Sequence, residues 1–307
     1  MIIFPTKHFR EKIWLIVLIS LLLFGCEPGL DIQLPAADGL NAYYPIGIHD
    51  ASPSIAAKLV ISRYGTAKPI MIYLPGGEGP FPLVMFQHGR PFSMPSNYAY
   101  YPQTALINAT VESGYALAVV VRQGYFGVPG ADNEAVPCNR PKLQDFRVAG
   151  SAAAINVQQA HDYLRRLSFV DSNNIVLAGS SAGGFASINA LPLLDGTIKA
   201  MVSINGGRCG KQGDAIGGLA ALRSLYGSIA ETVASPVYFL SGGNDTTIPV
   251  YSTRALFMSF CRVRNDCVKR TRTKLFEKPN ATHNVATMVD VYTRALKEIS
   301  SISMEVK

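Results

Sequence analysis

A serine hydroxyl becomes a nucleophile only when a base takes its proton and a third group holds that base in the right tautomer. In this 307-residue sequence, Gly179-Ser180-Ser181-Ala182-Gly183 sets a serine at the centre of a G-x-S-x-G pattern. An apolar run, Ile175 to Ala178, precedes it, and a stretch of small and apolar residues follows. A strand-to-helix turn at that point would lift Ser181 out of the backbone at the N-terminus of the helix. Glycines at 179 and 183 would leave room where side chains would meet the neighbouring strand and helix. Ser180 fills the x position. The chemistry open to Ser181 is attack on a carbonyl carbon.

A chain with its nucleophile on such an elbow places the acid and then the histidine further along the sequence. His283, in KPNATHNV, is the one histidine after Ser181. For the acid, Asp245 in VYFLSGGNDTTIPV follows an apolar run ending at Leu240. Its Gly-Gly-Asn context also permits a turn or cap aspartate, but its place after the strand favours the catalytic role. The rivals are Asp195 in a turn, Asp214 and Glu231 away from a strand end, Asp266 beside two cysteines, and Glu277 at the end of the last strand. Two donors must also face the developing oxyanion. The backbone N–H of Ala182 is one, and that of Arg90, in the His88-Gly89-Arg90-Pro91 segment after PLVMFQ, is the other. His88 beside Gly89 reads as a residue that structures this loop, and His161 and His49 as structural or surface residues.

These groups need a scaffold that brings strand ends together. Ala56 to Ser62 and Ile70 to Leu74 read as strands joined near Tyr64-Gly65-Thr66. Leu83 to Gln87 and Ala116 to Val121 are compact apolar runs suited to strands buried on both faces. Helical spacing runs through Phe146 to Leu167. A strand at Ile175 to Ala178, a helix at Ser181 to Leu191 and a strand at Ala200 to Ile204 come next. Pro236 to Leu240 and Lys274 to Phe276 read as strands, Val250 to Cys261 and Val285 to Ile299 as helices. This alternation predicts an α/β class with a mostly parallel sheet and helices on both faces, its functional loops at the carboxyl ends of the strands.

With 48% hydrophobic and 16% charged residues the chain can bury a large core, and nothing points to disorder. Lys7, Arg10 and Lys12 precede an apolar run from Ile13 to Leu23, the layout of a secretory signal, too short for a comfortable membrane span. Leu23-Phe24-Gly25-Cys26 resembles a bacterial lipobox, which makes Cys26 the expected lipidation site. Residues 1–25 are then a signal peptide, 26–54 a tether and 55–307 the folded domain. An ordinary signal peptide or an uncleaved anchor are the alternatives. Glu27 in place of aspartate favours an outer-membrane destination in a Gram-negative cell. After Cys26 there remain Cys138, Cys209, Cys261 and Cys267, an even set that reads as two disulfides in an exported chain. Three pairings are open; if Cys261 and Cys267 close a small loop, Cys138 is left with Cys209. No spacing of Cys and His suggests a metal site.

The formal net charge of +7 is local. Between Arg254 and Lys278 eight basic side chains stand against Asp266 and Glu277. Without aromatic interleaving or a DNA-binding motif, nucleic acid is not an expected partner; a solvated face or contact with an anionic surface are the two readings.

From about Ile55 to Ile299 the chain resembles the α/β-hydrolases. LVMFQHGR, FVDSNNIVLAGSSAGG and SGGNDTTIP are similar to the dienelactone-hydrolase-like and carboxylesterase branch. The chain departs from its relatives in two ways: it lacks the His-Gly-Gly-Gly oxyanion motif of hormone-sensitive-lipase-like esterases, and Ser181 stands where dienelactone hydrolases proper carry cysteine. The resemblance implies an esterase working through Ser181, His283 and Asp245, with no metal or organic cofactor and with a small or polymeric ester as substrate. Arg90 to Pro102 and Arg122 to Pro141, rich in Tyr, Phe and Pro, are candidate pocket walls. A prolyl-oligopeptidase-type serine peptidase shares the triad, but there a large extra N-terminal domain restricts access, and none is expected here. A binding lipoprotein on a hydrolase fold is the third reading. Oligomeric state is not legible.

Overall fold

The computed structural model describes residues 57–65, 68–91, 100 and 102–302, together with the backbone of residues 47–50. The expected signal peptide and Cys26 lie outside the described residues.

In chain order the elements are β1 (Gly47–Asp50), β2 (Lys58–Tyr64), β3 (Lys68–Leu74), β4 (Phe81–Gln87), α1 (Thr104–Glu112), β5 (Ala116–Val120), α2 (Leu143–Leu164) and β6 (Val170–Ser180). There follow α3 (Ala182–Leu194), β7 (Ala200–Ile204), a small hairpin of β8 (Lys211–Gln212) and β9 (Ala215–Ile216), and α4 (Leu219–Thr232). The chain closes with β10 (Val237–Gly242), α5 (Val250–Val263), β11 (Thr273–Lys278), a 3-10 turn (Val285–Met288) and α6 (Val289–Ser300). Among the described residues the main sheet has nine strands in the order β1-β2-β3-β5-β4-β6-β7-β10-β11. From β5 to β11 neighbours run parallel, while β1, β2 and β3 form an antiparallel flank.

The sequence explains this division. ALAVV in β5 and LVMFQ within β4 are buried throughout, as strands sandwiched between helices must be. One face is covered by α1 and α6, whose Leu106, Ile107, Tyr292 and Leu296 join Val84, Val119 and Val176 in one apolar cluster. A hydrogen bond of 3.0 Å between Thr110 Oγ1 and the Tyr292 hydroxyl ties these two helices together. The other face is covered by α2 to α5, packed on one another. Buried Phe146, Ala149, Ala153, Val157, Ala160 and Leu164 give α2 its helical stripe. Asp145 closes the start of α2 by accepting the Lys142 N–H at 2.8 Å. Within α3 almost every residue is buried, because the sheet, α2 and α4 surround it.

Several elements differ from the sequence reading. The sheet begins at β1, within residues 26–54 assigned to a tether. Neither α1 nor α4 was expected: α1 is nine residues long with no side-chain cap, and α4 starts behind two glycines, although its buried Leu222, Leu225, Tyr226 and Ile229 carry helical spacing. The closing helix starts at Val289, a 3-10 turn taking the first residues of the expected range. The long helix occupies Leu143–Leu164, shifted three residues toward the N-terminus.

Strand order reverses at β4, since the chain steps to β5 on one side and continues from β6 on the other. A crevice forms outside the carboxyl ends of strands at such a point. Gln87 leads from β4 into His88-Gly89-Arg90, and Ser180 leads from β6 to Ser181, so both segments open onto that crevice.

Candidate functional site

Ser181 sits between β6 and α3 with φ 55° and ψ −121°, a conformation that costs a non-glycine residue about 1–3 kcal/mol. Main-chain contacts hold it there. Its N–H donates to the Ile204 carbonyl at 3.0 Å, and its own carbonyl accepts the N–H of Gly207 at 3.0 Å and that of Phe185 at 3.2 Å. The elbow also requires close approach: a Cβ at Gly179 would overlap the Gly183 carbonyl, and one at Gly183 would overlap the Gln87 carbonyl at the end of β4. Both obstacles are backbone, which no rotamer change relieves. Gly183→Ala is therefore expected to destabilise the fold by about 1–3 kcal/mol, read as a lower midpoint in urea unfolding. Ser180 is buried beside the elbow, as its x position implies.

Asp245 follows β10 and is buried. Its Oδ1 accepts the N–H groups of Thr247 and Ile248, each at 2.8 Å. Oδ2 lies 2.8 Å from His283 Nδ1. A carboxylate at Nδ1 fixes the neutral tautomer with its proton on Nδ1 and its basic lone pair on Nε2. The rival acids are occupied or remote. Asp195 accepts from Ala234 and Ser235, Asp266 from Thr271, Arg272 and Thr273, and Glu277 pairs with Arg254. Asp214 and Glu231 are exposed.

Ser181 and His283 line one cavity of about 470 Å³ with Tyr100, Gln103, Asn284 and Val285. Ser181 also lines a second cavity, about 360 Å³, with Arg90, Ala182, Val136, Arg208 and Ile248. Both tyrosine- and proline-rich stretches thus contribute walls, through Arg90, Pro91 and Tyr100 and through Val136 and Cys138. Ala182 is the first residue of α3, where the N–H has no acceptor within the helix and the helix dipole favours negative charge.

His88 is fully buried, and burial, followed by the nearby Arg122 charge, holds its pKa well below the ordinary histidine range. It is therefore neutral. Its Nε2 accepts the Arg122 N–H at 3.2 Å, so Nδ1 carries the proton and donates to the Gly89 carbonyl at 2.8 Å. His88 thus braces the loop carrying Arg90, as the sequence reading had it. Arg208, which lines the second cavity, shares the buried Glu134 with Arg122. Arg122 Nε donates to it at 2.7 Å, and Arg208 stands 3.7 Å from its other oxygen while donating to its main-chain carbonyl. Disulfides join Cys138 to Cys209 and Cys261 to Cys267. The first of these fastens the segment after β5 to the segment after β7 at the cavity wall.

One residue of the site escaped the sequence reading. Asn205, fully buried after β7 with φ 47°, accepts the Gly242 N–H at 2.8 Å and donates to the Thr282 carbonyl at 3.0 Å. Its amide thereby joins the strand end that precedes Asp245 to the residue before His283. The signal was an asparagine between an apolar strand and Gly206-Gly207, where a left-handed residue is needed. Asn205→Asp keeps the acceptor for Gly242 and sets a carboxylate oxygen against the Thr282 carbonyl. We expect kcat to fall about 10²-fold through displacement of His283, with KM unchanged because Asn205 lines neither cavity; steady-state kinetics on a p-nitrophenyl ester would read both.

No family model matches the chain, and no curated protein matches it. Solved structures do. Acylaminoacyl peptidase from Pyrococcus horikoshii superposes with a TM-score of 0.58 at 16% identity over 82% of this chain, which spans 43% of that protein's length. Acetyl xylan esterase from Paenibacillus sp. R4 superposes with a TM-score of 0.56 at 16% identity, over 82% of this chain and 87% of the other. A protein from Klebsiella pneumoniae named as a dienelactone hydrolase gives 0.52 at 16% identity, over 78% and 95%. The chain has the α/β-hydrolase fold, as its motifs led us to expect.

Proposed function

We propose that this protein is a serine hydrolase that cleaves carboxylic esters through an acyl-enzyme, exported and held at the cell envelope by a lipid on Cys26. The observation that carries the reading is the 2.8 Å contact of Asp245 with His283 Nδ1, in a cleft that His283 shares with the elbow serine. Ser181 Oγ attacks the ester carbonyl as His283 Nε2 takes its proton. The N–H groups of Ala182 and Arg90 hold the oxyanion. Collapse of the tetrahedral intermediate breaks the bond to the alkoxy oxygen, which leaves with the proton from His283; water then repeats the sequence and frees the acid.

The two cavities divide the substrate. A leaving group that takes its proton from His283 belongs on the His283 side, against Tyr100 and Gln103, and the acyl group on the Ala182 side, above Arg208. An ester carbonyl is more electrophilic than an amide's, and an amide nitrogen must be protonated before it can depart, so the same triad cleaves esters with less assistance. Peptidases among the structural neighbours support amide cleavage as a second reading. Rates on p-nitrophenyl acetate and butyrate against dipeptidyl p-nitroanilides decide between them. Ester turnover with no amide turnover is the expected result, and the reverse would make the protein a peptidase. Turnover of neither by the folded protein would point to a binding role.

A further inference from the structure

We infer that the cationic turn spanning residues 262–272 docks the protein on an anionic lipid surface, with the cleft facing away from that surface. The basic run of the sequence divides into two groups. Arg254 pairs with Glu277 at 2.6 Å, Lys274 with Glu298 at 2.5 Å and Lys278 with Asp290 at 2.8 Å. Arg264 is spent on main-chain carbonyls, those of Val233 at 3.0 Å and Ser235 at 2.8 Å. Arg262, Lys269, Arg270 and Arg272 are left exposed, with no ion-pair partner among the described residues.

Within the turn one acid, Asp266, stands against these four charges and Arg264, which leaves an excess of positive charge. Asp266 is buried and turned inward, accepting the N–H groups of Thr271 at 2.9 Å, Arg272 at 2.7 Å and Thr273 at 2.5 Å. Glu231 is the exposed carboxylate on the rim of the 540 Å³ hollow that Lys269, Thr271 and Arg272 help to line, so the local excess remains positive. Among these cations stands Val268, 95% exposed, with Val263 43% exposed nearby. The Cys261–Cys267 disulfide closes the base of the turn. A fixed turn with an apolar tip ringed by Lys and Arg fits lipid headgroups with their acyl boundary beneath. A soluble polyanion would use the charges but not the valine, which is why lipid is the occupant we favour.

The turn precedes β11, so it lies at the edge of the parallel sheet where the strands begin. Ser181, Asp245 and His283 follow the ends of β6, β10 and β11, at the opposite edge. Docking through the turn leaves the cleft open to the aqueous side.

Hydrogen exchange on the full chain reconstituted into vesicles tests this without using activity, and both compared forms carry the same N-terminus. On phosphatidylcholine mixed with phosphatidylglycerol, amides of residues 262–272 should exchange about tenfold more slowly than on phosphatidylcholine alone. High salt should remove the protection, since these charges are exposed. Reversal of all four cations to glutamate should abolish it. Val268→Asp, a change at a residue that packs on almost nothing, should weaken it while leaving ester hydrolysis unchanged. Equal protection on both vesicles, or none on either, overturns the inference. Protection by soluble heparin that Val268→Asp does not alter also overturns it, in favour of a polyanion.

Discussion

Ser181→Ala should remove ester hydrolysis almost completely, lowering kcat on p-nitrophenyl butyrate about 10⁶-fold. Alanine deletes the one atom that forms the acyl bond, and the residual rate is what the oxyanion donors and the cavities supply to attack by water. The neighbouring serine provides the control. Ser180 is buried within the end of β6, and Ser180→Ala should leave kcat within a few-fold of wild type. Alanine at 181 retains a Cβ and so meets the same backbone demand at φ 55°, which means a loss of activity with an unchanged unfolding midpoint assigns the effect to chemistry. Full activity in Ser181→Ala would remove the elbow from the mechanism.

Asp245→Asn should lower kcat about 10⁴-fold, and the structure gives the reason. Oδ1 of Asp245 accepts two N–H groups, from Thr247 and Ile248, so an asparagine must keep its carbonyl oxygen there. Its amide NH₂ is then forced toward His283 Nδ1. That nitrogen must accept instead of donate, the ring proton moves to Nε2, and the base facing Ser181 is lost. The loop hydrogen bonds survive, so thermal stability should change little. Measuring kcat and the melting midpoint together separates this from collapse of the loop. A loss of only a few-fold would mean that another acid orients His283.

Much of this site was legible because it is written in local signals. The elbow needs a strand, a small-residue pattern and a helix in immediate succession, and residues 175–188 supply all three. His283 was nearly forced by the absence of another histidine downstream, and Asp245 was favoured over Glu277 and the other acids by its place after an apolar strand. Asn205 was not legible in the same way, for its two partners, Gly242 and Thr282, are distant in sequence and both are main-chain groups that leave no mark on residue type. The helix α1 was missed because its nine residues lack a capping side chain and its burial is shared between the sheet and α6, which lies nearly two hundred residues away. The basic run showed its charge in the sequence but not its partition. Which cations are neutralised depends on Glu298 and Asp290 in α6, and only folding brings these to Lys274 and Lys278.

The elbow's fastenings also bear on how the protein loses activity when heated. Ser181 is pinned to β7 through the Ile204 carbonyl and the Gly207 N–H, and Gly183 rests against the carbonyl that ends β4. These are main chain against main chain, at the middle of the sheet. Ser181 is therefore expected to keep its geometry while the strands beside it persist, so the midpoint for heat inactivation should coincide with that for melting of the central sheet followed by circular dichroism.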